Sequence, residues 1–220
     1  MITTLFWRCP ICKKEDSIFV KRSIFKSNRL FCSNCHSYWT IRRIVGKDYV
    51  LKLTDTFGNS REMSLSQWYK MIKKDFVPTK KDINLREIEK GEDIYLISNR
   101  IKLFAQKENP ILYNHNEKEF PWKACKDTHY SYIKYVGWGN LLLSNERLFW
   151  NSNNTLTFFW LKKINSVFNE ANVFFSIWYG DYKYKFRFYK DSILKWLNYI
   201  GWFSEEIFRK YKHKIRIANY

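Results

Sequence analysis

Four of the five cysteines stand in two matched pairs, Cys9-Pro10-Ile11-Cys12 and Cys32-Ser33-Asn34-Cys35, a C-x2-C-x19-C-x2-C spacing. A CxxC turn presents two sulfurs to one side of an ion, and a second turn across a hairpin-length segment completes a tetrahedron. The pattern predicts one structural Zn2+ held by Cys9, Cys12, Cys32 and Cys35. Four thiolates close the shell, whereas a catalytic zinc keeps one position open. His36 follows the last cysteine, but with four sulfurs in place it is expected beside the ion and not on it. Cys125 and His129 stand four apart with no second pair nearby, so a second metal site is not expected.

No nucleophile–base–acid set is legible. His115, His129 and His213 are scattered, and there is no glycine-rich phosphate loop. The expectation is a protein that binds without catalysing. Met1–Arg8 lacks the apolar core of an export signal, and the longest apolar runs are strand-sized. With paired thiols, this predicts a soluble cytoplasmic chain with no transmembrane segment.

The elements that must position the cysteines are short. Ser17–Val20 and Arg29–Phe31 read as strands between the pairs, and Tyr38–Val45 as a third after them. This arrangement resembles the zinc ribbon family over Arg8 to about Val45, through its two knuckles and the aromatic Tyr38-Trp39 that follows. It departs where ribbons often carry glycine after each knuckle, since Lys13 and His36 stand there; Asn34 is expected to supply the left-handed turn at the second knuckle. Lys21, Arg22, Arg29, Arg42 and Arg43 surround the knuckles with Phe19, Phe25 and Phe31 between them. Cations interleaved with rings suit nucleic acid, but the favoured reading makes the rings the small core and the cations a solvated face.

Further along, Tyr49–Leu53 and Glu62–Leu65 flank Gly58-Asn59 as a hairpin, and Ser66 reads as the N-cap of a helix over Gln67–Asp75. Trp68, Met71, Ile72 and Phe76 share its apolar face. Domain limits follow: 1–77 for the zinc ribbon, hairpin and helix, a charged linker over 78–90, a second domain over 91–203, and a basic C-terminal helix over 204–220.

The second domain reads as a run of strands: Asp93–Ile97, Ile101–Ala105, Tyr130–Val136, Asn140–Leu143, Arg147–Trp150, Leu156–Trp160, Ile164–Phe168, Val173–Tyr179 and Tyr182–Phe188. A helix capped by Asp191 and ended by Gly201 closes it. The expected class is mainly β with α (α+β), an antiparallel barrel or sandwich capped by a helix. Gly139-Asn140-Leu141-Leu142-Leu143-Ser144-Asn145-Glu146-Arg147-Leu148-Phe149-Trp150 is similar to the strand–turn–strand of the GRAM-like branch of the pleckstrin-homology (PH) superfold. That resemblance implies a binding or scaffolding module for proteins or phosphoinositides. Arg100, Lys102, Lys183, Lys185 and Arg187 are the candidate phosphate contacts in this half.

Net charge is +18, and residues 1–77 hold 15 Lys and Arg against 6 Asp and Glu. Such a field attracts phosphates, though 27 Lys against 12 Arg also suits an AT-rich coding sequence. The preferred reading is a zinc-stabilised adaptor for a protein partner or an anionic membrane surface. The alternatives are a nucleic-acid-binding protein using the basic ribbon, and an accessory subunit of an enzyme complex.

Overall fold

Strands dominate the computed structural model, which describes residues 6–21, 29–43, 49–54, 60–83, 88–89, 91–107, 133–152, 155–170 and 173–219. The class is α+β, as composition and alternation predict. The chain divides into two compact units, Met1–Pro78 with Lys190–Asn198, and Thr79–Tyr189 with Tyr199–Tyr220.

In the first unit, β1 (Ile18–Lys21), β2 (Arg29–Cys32), β3 (Tyr38–Arg43), β4 (Tyr49–Thr54) and β5 (Ser60–Ser64) form one antiparallel sheet in sequence order. Helix α1 (Leu65–Lys73) follows directly. Its N-cap is Ser64 and not Ser66: the Ser64 hydroxyl accepts from Gln67 N at 3.1 Å, and the Gln67 side chain accepts from Ser64 N at 2.8 Å. Both serines suit a cap, but only Ser64 has a glutamine three residues on to complete the capping box. Trp68 and Ile72 of this helix are fully buried. Trp68 meets Phe6 and Trp39 edge-on, with ring centroids 4.9 Å apart in both pairs.

The last turn of α1 leaves carbonyls without helical partners. Arg8 Nη1 donates to Ile72 O at 2.6 Å and Lys13 Nζ to Met71 O at 2.7 Å, so two cations sit where the helix dipole is negative. Elsewhere in this unit, the buried Lys195 ammonium is held by Asp16, with Glu15 at 3.7 Å. Burial pushes the Lys195 pKa down, but Asp16, Asp191 and Glu15 outweigh it and the net shift is upward.

The second unit carries an eight-stranded sheet. In sequence order its strands are β6 (Ile94–Lys107), β7 (Ile133–Ser144), β8 (Arg147–Ser152), β9 (Thr155–Trp160), β10 (Ile164–Glu170), β11 (Phe174–Tyr179), β12 (Tyr182–Arg187) and β13 (Arg216–Asn219). The order across the sheet is β13-β10-β11-β12-β6-β7-β8-β9, with β13 parallel to β10 and the other pairs antiparallel. The sheet is open: β13 and β9 end it without pairing to each other, so the expected barrel closure is absent.

Two pairs of segments expected as separate strands are instead joined into long ones. Asn99-Arg100 lies within β6, where Arg100 is left-handed (φ 57°) and the register to β7 shifts between Ser98 and Ile101. Likewise Asn140–Leu143 and the described part of Tyr130–Val136 belong to one strand, β7.

Helix α2 runs Ile193–Tyr211. Ser192 caps it, accepting from Lys195 N at 3.3 Å, while Asp191 accepts the Trp196 indole N–H at 2.9 Å. Gly201 does not end the helix. A Cβ there would lie 3.4 Å from Ile217 of β13, so its small size serves a close approach. The helix stops at Tyr211, with Lys212 left-handed (φ 56°). The expected basic helix over 204–220 is thus the end of α2 followed by a strand. Near the end of α2 Lys210 reaches Glu146 at 2.7 Å. Among the described residues no helix is long and apolar enough to cross a membrane.

The motif around Arg147 has a packing explanation. Arg147 and Glu92 expose 5% and 3% of their side chains and form a two-pronged pair, with Nε to Oε1 at 3.0 Å and Nη2 to Oε2 at 2.7 Å. The guanidinium also lies within 5 Å of the rings of Phe149, Phe158 and Trp160. Gly139, the motif's glycine, faces the Trp150 indole. A Cβ there would stand 2.5 Å from Asn151 O and 2.8 Å from Trp150 Nε1. Gly139→Ala is therefore expected to destabilise the second unit by about 1–3 kcal/mol in urea unfolding.

Candidate metal centre

Cys9 and Cys12 lie on the turn before β1, Cys32 closes β2, and Cys35 lies on the turn into β3. Antiparallel pairing of β1 with β2 sets Ile18 opposite Cys32 and brings the two turns together. Each turn is built the same way. Lys13 N donates to Cys9 O at 3.0 Å, as His36 N does to Cys32 O at 3.0 Å. Cys9 N donates to Lys14 O at 3.0 Å, as Cys32 N does to Ser37 O at 2.9 Å. One short backbone design is used twice.

The residue after each second cysteine must be left-handed for this turn, and Lys13 (φ 60°) and His36 (φ 59°) both are. Asn34 is not the residue that turns. A non-glycine side chain in this conformation costs about 1–2 kcal/mol, partly offset by the backbone freedom glycine loses on folding. His36→Gly is expected to raise the stability of the first unit by about 0.5 kcal/mol in thermal or urea unfolding. The gain is small because the His36 ring also rests 5.8 Å from Phe31.

The four sulfurs lie within 4.8 Å of one another, with Cys9 to Cys35 at 3.7 Å and Cys12 to Cys32 at 3.6 Å. A tetrahedron with metal–sulfur bonds of about 2.3 Å has edges of about 3.8 Å, so the cluster has the dimensions of a four-thiolate site. These separations are far beyond a disulfide bond of about 2.05 Å. Cys9 and Cys32 are buried, while Cys12 and Cys35 are partly exposed.

The protein environment splits the thiols. Burial pushes the Cys9 pKa well up, against backbone N–H groups of Cys12 and Ile11. Burial also opposes ionisation of Cys32, but the Ser17 hydroxyl and the N–H groups of Cys35 and Asn34 outweigh it and bring its pKa to about 6. Ser17 Oγ lies 3.4 Å from Cys32 Sγ, and Ser37 Oγ is equally close to Cys35 Sγ. These hydroxyls orient the sulfurs. They escaped the sequence reading, since serine near a knuckle has no distinctive spacing.

The aromatic residues divide between core and surface. Trp39 and Leu30 are fully buried, whereas Phe19, Phe31 and Tyr38 are exposed. The last three form one cross-strand row, because Phe19 pairs with Phe31 and Phe31 with Tyr38.

The candidate cations fall into three groups. Arg29 is exposed on β2, opposite Lys21 in register. Arg22 and the side chains of Lys21, Arg42 and Arg43 lie outside the described residues. In the second unit Lys183 and Lys185 are both drawn onto Glu170, at 3.1 and 3.2 Å. Burial raises the Glu170 pKa, but Lys183, Ser176 and Lys185 outweigh it and hold the carboxyl low. Among the described residues Arg100, Lys102 and Arg187 have no such carboxylate contact, and they lie on neighbouring strands, with Arg187 directly opposite Lys102.

Compared with known proteins, the chain matches no family model, and no curated protein matches its sequence.

Proposed function

We propose that this chain is a zinc-stabilised nucleic-acid-binding protein without a catalytic centre of its own. Zinc suits four sulfurs at tetrahedral separations, and four thiolates leave the ion no position for substrate. The ion's part is to hold two turns and the sheet between them. The observation that carries the binding assignment is the exposed row Phe19–Phe31–Tyr38 on that sheet, with Arg29 two residues from Phe31 on the same strand face. Flat rings beside cations stack bases and hold phosphates. Arg8 and Lys13 are not part of this surface, since they cap α1.

A test combines metal analysis with oligonucleotide binding. One zinc per chain, and salt-sensitive binding weakened about tenfold or more by Phe31→Ala, is the expected result. Binding unchanged in Phe31→Ala and in Arg29→Gln would remove this surface from the reading.

The adaptor reading keeps one supporting observation. Gly139 and Arg147 both have structural reasons to occupy their places in the strand–turn–strand that resembles the PH/GRAM pattern. Under that reading, anionic vesicles or a protein partner would bind and oligonucleotides would not.

A further inference from the structure

The outer face of the second unit's sheet brings cations and rings from three adjacent strands into one row. Register places Arg187 of β12 opposite Lys102 of β6, and Lys102 opposite Trp138 of β7. Lys102 Nζ lies 4.6 Å from the Trp138 ring centre, and the Arg187 guanidinium carbon lies 5.5 Å from that of Tyr189. Trp138 and Tyr189 are themselves 5.2 Å apart and tilted by 31°. Despite these contacts Trp138 remains 48% exposed. Tyr135, resting on Phe104 at 5.5 Å, remains 47% exposed.

Two half-exposed rings on one sheet face, flanked by cations, mark a surface that another molecule can cover. The bulge between Leu103 and Phe104 sets Tyr135 opposite Phe104 and Trp138 opposite Lys102. The rings therefore stand two β6 positions apart, about 7 Å along the strand. That is a spacing over which successive unstacked bases of a single strand can be laid. Past Trp138 the surface opens into a cleft of about 770 Å³, lined among others by Arg100, Asn140 and Asn151. Carboxamides supply both donor and acceptor for the edge of an unpaired base.

We infer that this face binds single-stranded nucleic acid, with bases stacking on Trp138 and Tyr135 and phosphates held by Arg100, Lys102 and Arg187. The inference rests on the nucleic-acid reading above and adds a second surface and a preference for unpaired bases. Lys183 and Lys185 are not needed, because Glu170 already holds both.

Fluorescence anisotropy of the zinc-loaded full chain tests it, using labelled single strands of about 15 nucleotides, as DNA and as RNA, against a duplex of the same length. Single strands should bind at least about tenfold more tightly than duplex, and Trp138→Ala should weaken that binding about tenfold or more. Lys102→Gln with Arg187→Gln should flatten the slope of log affinity against log salt by about 1.4, or 0.7 per phosphate contact. Thermal unfolding of each variant confirms that the fold is kept, as expected for exposed side chains. Tyr135→Ala gives an independent reading should Trp138→Ala fail to fold.

If single strand and duplex bind alike and neither ring variant changes either, this surface is excluded while the nucleic-acid reading stands. If no oligonucleotide binds, both fall. Loss of phosphatidylserine-vesicle binding on Trp138→Ala, with oligonucleotide binding unchanged, would assign the face to membranes and overturn the inference.

Discussion

Serine at Cys9 or Cys32 is expected to lose the metal and, with it, most native structure in the first unit. Both sulfurs are buried and each closes a different turn. A serine hydroxyl does not ionise near neutral pH, so the variant keeps three thiolates around an ion that needs four. Structural zinc in small domains contributes about 10–16 kcal/mol of apparent binding free energy, which there is also folding free energy. The rest of the first unit rests on a few rings, chiefly Trp39, Trp68 and Phe6. Zinc per chain should fall from one to near zero, and amide dispersion in NMR spectra should collapse for first-unit residues. A strong chelator on the parent protein should do the same, and acid should as well, since protons compete for the thiolates. Wild-type stability and dispersion in both variants would show that the cluster holds no structural ion. Cys125→Ser serves as the control that keeps its zinc.

Breaking the Arg147–Glu92 pair is the second large effect. Arg147→Met should destabilise the second unit by about 3–5 kcal/mol, since it leaves the buried Glu92 carboxylate without its cation. Glu92→Leu should cost less, because Glu89 remains 3.3 Å from the guanidinium. Replacing both should recover much of that loss. The remaining pocket is already walled by Phe149, Phe158 and Trp160, which suit an apolar chain as well as a guanidinium. A double-mutant cycle in urea measures the coupling. Single variants within about 0.5 kcal/mol of the parent, the range of ordinary surface changes, would mean that water reaches the pair. The carboxylate raises the Arg147 pKa further, first through its hydrogen bonds, so the guanidinium stays charged at any pH that leaves the protein folded.

The cysteine cluster was readable because its information is local: four cysteines and two identical spacings. Runs of apolar and aromatic residues also located β8, β9 and β11, with β8 buried on both faces over Arg147–Trp150. What escaped depended on contacts remote in sequence. Asn99-Arg100 has the composition of a turn, but a left-handed Arg100 is equally at home in a bulge, and pairing with β7 decides between them. Gly201 looked like a helix stop, and only the arrival of Ile217 explains it as a contact. The helix-capping roles of Arg8 and Lys13 were hidden because their acceptors lie 64 and 58 residues away. The last strand took the pattern of an amphipathic helix, because Ile207 and Ile215 are both buried, one on α2 and the other just before β13.

The grip of Asp16 on Lys195 spans 179 positions of chain. A ribosome adding roughly 5–20 residues per second needs roughly 10–35 s to cover that distance. The cysteines emerge early and can collect their ion at once, but Asp16 and Glu15 must wait for their counter-charge until almost the whole second sheet has been made. The first unit is thus begun first and completed late. An excised fragment ending near Pro78 would hold all four thiols, yet leave that carboxylate pair facing solvent without its lysine.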